Sequence, residues 1–232
     1  MAAGRGKRMK SLTNNTPKCL LRVGDKTILE HQIESLHNCG IKDIIIVVGY
    51  QKEKIKDKVK RFKGITLIEN ERYEETDNTY SLYLTKPCIS DSIIILDGDL
   101  IFDPFLLKML VKSRYKNEFI ADFKKEITKE DAKVVVKNGF ATAVGKDVNG
   151  SAVYMSICKL SGRFLKMFMD ELFRLTQICR SWYSLALNNL LNKERVHVMD
   201  SLGLLWIEID TPHELEKARE IYKKIKEGSK HS

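Results

Sequence analysis

The feature that most constrains the fold is the alternation of wholly apolar segments with amphipathic ones in the first half of the chain. Residues 44–48 are five consecutive β-branched residues, and residues 93–96 are again continuously apolar. A strand of this kind is buried on both faces, as in a parallel sheet covered by helices. Segments with helical spacing alternate with these runs, among them 29–39, which ends at Gly40, and 104–114. The pattern predicts an α/β fold with a Rossmann-like, mostly parallel mixed sheet flanked by helices.

A loop of small residues, followed by fixed cations, lies ahead of these segments. It reads Met1-Ala2-Ala3-Gly4-Arg5-Gly6, and Lys7-Arg8 and Pro17-Lys18 follow it. Because glycine has no Cβ, the backbone can approach a polyphosphate closely and point N–H groups at its oxygens. Arg8 can bind a phosphate through two donors, whereas Lys18 acts as a point charge. The segment therefore predicts a polyphosphate-binding loop.

The position of this loop at the start of the numbering is itself informative. An apolar strand normally precedes such a loop, and Met1 stands where the last residue of that strand would be. We expect that a few residues before Met1 are missing from the numbering. The alternative is a sheet that lacks one central strand.

Two pairs of carboxylates follow apolar strands. Asp97-Gly98-Asp99 ends the run 93–96, and the carboxyl end of a parallel strand faces the ligand crevice. Glu208-Ile209-Asp210 stands just before the last helix. Mg²⁺ binds through one or two acids together with substrate phosphates. The alternatives are solvated aspartates in a turn and an Asp210 that only caps a helix, but beside the phosphate loop we favour magnesium, with Asp99 as the better candidate.

Other candidates are less specific. Asn78-Thr79-Tyr80-Ser81 begins a helix, where amides and hydroxyls can read a base edge or a ribose, although N-capping explains them equally well. Lys133 and Lys146 could neutralise the phosphate of an acceptor, but ordinary surface lysines are the more common outcome. An acceptor pocket could be lined by aromatic residues that pack in the core by default, namely Tyr154, Trp182 and Tyr183.

The second half of the chain is richer in short strands, and Asn138-Gly139 is a strong hairpin signal. Strands are predicted at 119–124, 133–136, 140–144, 196–199 and 204–209, and helices at 161–175 and 182–191. Thr211-Pro212 opens a last helix through residue 226. No linker divides the chain, so we expect residues 1–232 to form a single domain. Its nucleotide-binding half is 1–115, and its acceptor-side half with the C-terminal helix is 116–232.

Composition limits the partners and the compartment. The net charge is +9, but the lysines of the segment 52–63 alternate with Ile55, Val59 and Phe62 at helical spacing. That spacing favours a solvated lysine face, so we expect no nucleic-acid partner. The apolar runs are too short to span a bilayer and no signal peptide is visible, which favours a cytoplasmic protein without a membrane partner. The cysteines form no metal or disulfide pattern: Cys19, Cys39, Cys88, Cys158 and Cys179.

Taken together, these motifs resemble the sugar-1-phosphate nucleotidyltransferase superfamily. Within it the chain is most similar to the small cytidylyltransferases that activate phosphocholine, and Gly145-Lys146-Asp147 is also similar to inositol-phosphate cytidylyltransferases. The Asn-x-Tyr-Ser-Leu stretch discriminates better than the phosphate loop. The resemblance runs nearly from end to end, through residues 2–8, 16–20, 40–50, 70–73, 78–84, 97–102 and 208–214.

The resemblance implies a Mg²⁺-dependent transfer of a cytidylyl group from CTP to a small phosphomonoester, with pyrophosphate as the leaving group. It implies catalytic roles for Arg8, Lys18 and Asp99, and it assigns Mg²⁺ to Asp99 with Glu208 or Asp210. The nucleotide would be bound by residues of the loop and of two strand or helix ends: Ala2, Ala3, Gly4, Gly6, Arg8, Asn78, Ser81 and Asp97. The acceptor would be bound by Lys133, Lys146 and Tyr154.

Two other functions stay open. One is a sugar-1-phosphate nucleotidyltransferase that uses UTP, dTTP or GTP, and the other is a nucleotide-binding regulatory subunit without catalysis. The sequence names neither the acceptor nor the oligomeric state, and a homodimer is compatible with it.

Overall fold

A computed structural model describes residues 1–178 and 180–228, so Cys179 and residues 229–232 lie outside the described residues. The chain forms two compact units that interleave along the sequence. Unit 1 comprises Met1–Glu75, Asp97–Leu107 and the chain from Leu204 onward, and unit 2 comprises Thr76–Leu96 and Lys108–Gly203.

The elements are numbered in chain order. Up to residue 112 they are β1 (Arg22–Val23), β2 (Lys26–Thr27), α1 (Ile28–Asn38), β3 (Ile44–Val48), α2 (Lys52–Val59), β4 (Ile65–Glu69), α3 (Asn78–Tyr83), β5 (Ser92–Leu96), β6 (Leu100–Phe102) and α4 (Pro104–Lys112). Beyond it they are β7 (Glu118–Asp122), β8 (Lys133–Lys137), β9 (Phe140–Gly145), β10 (Ala152–Ser161), α5 (Gly162–Thr176), α6 (Tyr183–Asn188), β11 (His197–Asp200), β12 (Trp206–Glu208) and α7 (Pro212–Gly228). Short 3₁₀ helices cover Lys7–Thr13, Lys18–Leu20 and Lys86–Cys88.

Unit 1 contains three pairs of strands, of which β1 and β2 form a short antiparallel one. β3 and β4 run parallel, and Ala2 joins β3 by a parallel bridge to Val48. β6 and β12 run antiparallel, with Glu208 opposite Leu100. Helix α1 packs on β6, and α7 packs on both β6 and β12. The buried apolar cluster of this unit comprises Met9, Leu21, Val23, Ile28, Ile101, Ile209, Leu215, Ala218 and Ile225.

Helix α1 begins at Ile28 because the residue before it is a capping threonine. Thr27 is the N-cap: its hydroxyl accepts the Glu30 N–H, and the Glu30 carboxylate accepts the Thr27 N–H. This reciprocal pair satisfies two donors that the helix itself leaves unpaired. The first turn of α1 is therefore fixed by local chemistry.

Unit 2 contains a six-stranded sheet in the order β5-β10-β7-β11-β9-β8. Strand β10 is long and almost wholly buried, and it pairs antiparallel with β5, β7 and the start of β8. β11 lies parallel to β7. Helices α5 and α6 pack on strands of this sheet.

The predicted α/β class, with a mixed sheet and flanking helices, is confirmed, but its parallel content is smaller than the sequence analysis predicts. Among the described strands, only β3 with β4 and β7 with β11 pair in parallel. The apolar run in β5, expected in a parallel sheet, pairs antiparallel with β10. A continuous apolar run shows that both faces of a strand are buried, and it carries no information about the direction of its neighbours.

Within the described residues, no helix has the length and apolar character needed to cross a membrane.

Candidate active site

The predicted phosphate loop, residues 1–6, leads into a 3₁₀ helix over Lys7–Thr13. Ala2 and Ala3 are buried, and the Ala2 N–H donates to the Val47 carbonyl oxygen at 2.9 Å. Gly6 has φ 65°, and a Cβ on it would lie 3.1 Å from the Lys18 Cβ. Its carbonyl oxygen accepts the Met9 N–H at 3.0 Å and the Thr13 hydroxyl at 2.9 Å. The glycine thus lets the loop turn closely over Lys18.

The carboxylates are brought together by the pairing of β6 with β12. Asp99 precedes β6 and Asp210 follows β12, and the Ile209 N–H donates to the Asp99 carbonyl oxygen at 3.0 Å. The turn before β6 also passes close to the start of the chain, because a Cβ on Gly98 would lie 2.1 Å from the Met1 carbonyl oxygen. As a result, ligand oxygens of Asp99, Glu208 and Asp210 all lie within 4.8 Å of one another.

Two cations contact this carboxylate corner, the name used below for Asp99, Glu208 and Asp210. Lys18 Nζ lies 2.7 Å from Asp99 Oδ2 and 2.6 Å from Asp210 Oδ1. Arg8 Nη2 lies 2.8 Å from Asp210 Oδ2. The Lys18 side chain is only 12% exposed, whereas that of Arg8 is 57% exposed. Burial by itself would lower the pKa of Lys18, but the charges of Asp99 and Asp210 and their hydrogen bonds raise it, so the ammonium stays charged.

The carboxylate corner fits a divalent cation. Asp99 Oδ1 is buried and has no hydrogen-bond partner in the part of the chain that the structure describes. Burial, together with the negative charges of Asp99, Asp97 and Asp210, raises the pKa of Glu208 to about 8. A bound cation would give the buried Asp99 oxygen a partner. It would also offset the negative charges that hold the Glu208 carboxyl near neutrality, and Mg²⁺ prefers oxygen ligands of this kind. The residues present can therefore hold Mg²⁺.

The start of α7 holds Asp210 from the other side. Glu214 Oε2 accepts the N–H groups of Asp210 and Thr211, both at 2.8 Å, and the Glu214 N–H donates to the Thr211 hydroxyl at 3.3 Å. Thr211 and Glu214 thus form the reciprocal cap of this helix. The carboxylate of Asp210 is not used as a cap and points its oxygens at Lys18 and Arg8.

The sequence analysis misses two residues that shape this site: Thr13, which bonds the Gly6 carbonyl oxygen, and Gln32. Gln32 is buried in α1 and donates to the carbonyl oxygens of Asp97 and Leu100 at 2.8 Å and 3.0 Å. A polar side chain on the apolar face of a helix is the sequence signal that could have identified it.

The predicted base-reading residues lie in unit 2, at the start of α3. Asn78 Oδ1 accepts the Tyr183 N–H at 3.0 Å, and Ser81 is buried. The Thr79 hydroxyl donates to the Ser181 carbonyl oxygen at 2.6 Å. Asn78 therefore ties α3 to the start of α6, and its contact with a base stays a prediction.

The predicted acceptor residues also belong to unit 2, and two of them have evident partners. Lys146 Nζ lies 4.5 Å above the Trp182 ring and 3.6 Å from a Glu130 carboxylate oxygen. The Tyr154 hydroxyl lies 3.3 Å from that of Tyr183, and burial raises the pKa of Tyr154 well above its usual range. Lys133 is half-buried at the start of β8. Strand pairing brings the three positions near one another, because Lys133 lies opposite Gly145 of β9 and opposite Val153 of β10.

Carboxylates and cations gathered beside a glycine loop, at the ends of strands, define an enzyme that acts on the phosphates of a nucleotide. A family model described as the MobA-like NTP transferase domain matches residues 1–138. The chain belongs to this family and is a nucleotidyltransferase.

Similar proteins support the same class. The choline-phosphate cytidylyltransferase of Streptococcus pneumoniae is 30% identical over 228 residues, which are 96% of this chain and 96% of that protein. The solved structure of CTP:phosphocholine cytidylyltransferase from the same organism covers 95% of this chain and 96% of its own, with TM-score 0.82 and 25% identity. The inositol-1-phosphate CTP transferase from T. maritima has TM-score 0.84 and 24% identity, covers 98% and 94%, and is similar in fold. The resemblance stated from the sequence is confirmed.

Proposed function

We propose that this protein transfers a cytidylyl group from CTP to a small phospho-alcohol, releasing pyrophosphate and giving a CDP-alcohol. The carboxylate corner, with Lys18 and Arg8 bonded to it, is the observation that carries the proposal. The end-to-end similarity to a choline-phosphate cytidylyltransferase supports CTP as the donor. Residues 1–232 would act together as one nucleotidyltransferase domain.

The loop from Gly4 to Arg8 would bind the triphosphate. Gly4 is exposed, and Gly6 adopts a positive φ that residues with a side chain disfavour. Because neither residue has a Cβ, a phosphate can approach the backbone N–H groups of the loop closely. Ala2, Ala3 and Asp97 would complete the nucleotide contacts beside them. Asn78 and Ser81 are proposed to contact the cytidine on the strength of the resemblance.

Asp99, Asp210 and Glu208 would hold the Mg²⁺. When bound, the ion would neutralise phosphate oxygens that gain charge during the reaction. Lys18 and Arg8 already sit against these carboxylates, so their charges are available to the phosphates of a bound nucleotide.

The chemistry is an in-line displacement. An oxygen of the acceptor phosphate forms a bond to the α-phosphorus, and the bond from that phosphorus to the oxygen bridging to the β-phosphate breaks. The electron pair leaves with pyrophosphate, and no covalent enzyme intermediate is needed. The enzyme contributes position and charge, and holding both reactants in line can supply roughly 7–11 kcal/mol.

The acceptor is proposed as phosphocholine or inositol 1-phosphate. Lys133 and Lys146 would neutralise its phosphate and Tyr154 would line its pocket. The cation–π contact between Lys146 and Trp182 supports an acceptor region in which a cation can sit over an aromatic face.

The test is pyrophosphate release with Mg²⁺, in which CTP, UTP, GTP, ATP and dTTP are each paired with phosphocholine, inositol 1-phosphate, 2-aminoethylphosphonate and glucose 1-phosphate. Release with CTP and one phospho-alcohol is expected, and an Asp99→Asn preparation serves as the control for contaminating enzymes. Release only with UTP or dTTP and glucose 1-phosphate would move the protein to the sugar-phosphate class. No release with any pair, while CTP still binds, would favour a regulatory subunit.

A further inference from the structure

Helix α1 carries a buried amide side chain, Gln32, that donates hydrogen bonds to the backbone of another segment. Gln32 is 5% exposed, and Ile28, Leu29 and Leu36, which lie three or four residues from it in the helix, are buried and apolar. A buried amide that finds no hydrogen-bond partner destabilises the fold. A glutamine at such a position is therefore compatible with a stable fold only when its amide forms hydrogen bonds.

The amide of Gln32 spans the turn that carries the predicted metal ligand. Nε2 donates to the Asp97 carbonyl oxygen at 2.8 Å and to the Leu100 carbonyl oxygen at 3.0 Å. Both acceptors are carbonyl oxygens, so the atom between them must be the nitrogen, and each of its two hydrogens is used. The amide thus joins the backbone on either side of Gly98 and Asp99.

The Asp97–Leu100 turn needs the restraint that Gln32 provides because three carboxylates lie close together beside it. Asp99, Glu208 and Asp210 crowd within 4.8 Å, and Asp99 Oδ1 is buried without a hydrogen-bond partner among the described residues. Lys18 bridges Asp99 and Asp210, but its flexible side chain does not fix the backbone, and a turn held only at its ends by strand pairing could shift the Asp99 carboxylate. The Ile209 N–H fixes the Asp99 carbonyl from the β12 side, and Gln32 fixes the carbonyls before and after it from the α1 side.

We propose that Gln32 is the positioning residue of the cation site, holding the Asp97–Leu100 turn so that the Asp99 carboxylate stays beside Asp210. This inference rests on the proposed function in so far as Asp99 is taken as a metal ligand. Leucine cannot donate to either carbonyl, and ionised glutamate would bring acceptor oxygens against acceptor oxygens. Hydrogen-bonding groups behind a metal ligand are worth about 10–100-fold in metal affinity or activity.

The experiment measures Mn²⁺ binding by electron paramagnetic resonance on the protein without nucleotide, so that turnover plays no part in the signal. Gln32→Leu is compared with the wild type, and Gln32→Met, which keeps the length of the side chain, replaces it if the leucine variant does not fold. Two controls lie on the same helix: Ser35→Ala, which removes a buried hydroxyl bonded only to the His31 carbonyl, and Ile33→Val, which loosens the packing. Thermal melts of all variants report stability.

We expect Gln32→Leu to weaken Mn²⁺ binding by about tenfold, while Ser35→Ala and Ile33→Val stay within about twofold of the wild type. With saturating CTP, kcat should fall at low Mg²⁺ and recover in part at high Mg²⁺, whereas KM for CTP should change little. A purely structural role would lower the melting temperature in step with Ile33→Val and leave the Mn²⁺ affinity unchanged.

The Asp99→Asn variant distinguishes a wrong positioning role for Gln32 from a wrong metal assignment for Asp99. If it abolishes Mn²⁺ binding and Gln32→Leu binds within about twofold of the wild type, the positioning role is wrong and the metal assignment stands. If Asp99→Asn leaves Mn²⁺ binding intact, the metal assignment of the proposed function is wrong, and the role of Gln32 is wrong with it.

Discussion

The candidate functional residues of the two units make different kinds of contact. In unit 1 the charged side chains are linked to one another: Lys18 bonds Asp99 and Asp210, and Arg8 bonds Asp210. In unit 2 the candidates share aromatic neighbours: Lys146 lies over Trp182, and Asn78 and Tyr154 both contact Tyr183. Charges linked by ion pairs act as a unit, so losing one member disturbs the others, whereas the loss of a single hydrogen bond or ring contact has a smaller effect. We therefore expect steep effects in unit 1 and graded ones in unit 2.

The largest effect should come from Asp99→Asn. The substitution keeps the size of the side chain and removes a charge to which Lys18 is bonded. Turnover should fall by about 10³-fold or more in the pyrophosphate assay, with the melting temperature little changed. Asp57→Asn, at an exposed site on α2, is the matched control. Activity near the wild-type level would remove Asp99 from the catalytic machinery.

Lys18→Met should come next, with turnover lowered by at least about tenfold, because the charge that would neutralise phosphate is lost. The same variant should bind Mn²⁺ without nucleotide at least as tightly as the wild type. The reason is that the ammonium that lies against Asp99 and Asp210 no longer competes with the metal. Unchanged kinetics would contradict the phosphate role, and weaker Mn²⁺ binding would contradict the competition.

Glu30→Gln should change how stability depends on pH, through the helix that carries Gln32. Burial alone would raise the pKa of Glu30, but hydrogen bonds from the Thr27 N–H, Lys58 and the Thr27 hydroxyl lower it from 4.5 to about 2. Since the folded pKa is the lower one, the stabilisation is fully present above pH 4.5 and is lost as the pH falls towards 2. At neutral pH the variant should be less stable by on the order of 1–2 kcal/mol.

Thermal melts of both proteins between neutral and acid pH measure this difference. It should narrow as the pH falls, because protonated Glu30 no longer gains from Lys58. A difference that stays constant across the range would show that the charge of Glu30 is not what stabilises α1.

The smallest effect is expected in unit 2, at Lys146. Lys146→Met should raise KM for the acceptor about fivefold and leave KM for CTP unchanged, as expected for the loss of one partly exposed charge. Tyr154→Phe, which removes only the hydroxyl that meets Tyr183, should stay within about twofold. A loss of turnover at Lys146 as steep as that at Asp99 would end the distinction between the two units.

Much of the framework was predictable from local chemistry. The signal in Thr211 and Pro212 correctly predicted the start of α7, and the apolar run 44–48 correctly predicted β3. The proximity of Asp99 to Asp210 was implied by the resemblance, which assigned Mg²⁺ to Asp99 with Glu208 or Asp210. The direction of β10 beside β5 was not predictable, because burial on two faces is common to parallel and antiparallel strands.

The sequence by itself determined the residue types at this site and the local shapes that carry them: the glycine loop, the capped helices and the acids after apolar strands. Each of these local features depends on residues only a few positions apart in the sequence, so the sequence alone is enough to predict it. Only the tertiary structure decided that Lys18 bonds two aspartates 81 and 192 residues away, and that Gln32 reaches across 65 residues to the turn before β6. Those contacts exist because β6 pairs with β12 and α1 packs on β6, and such pairings are set by the cooperative burial of many side chains rather than by any local pattern.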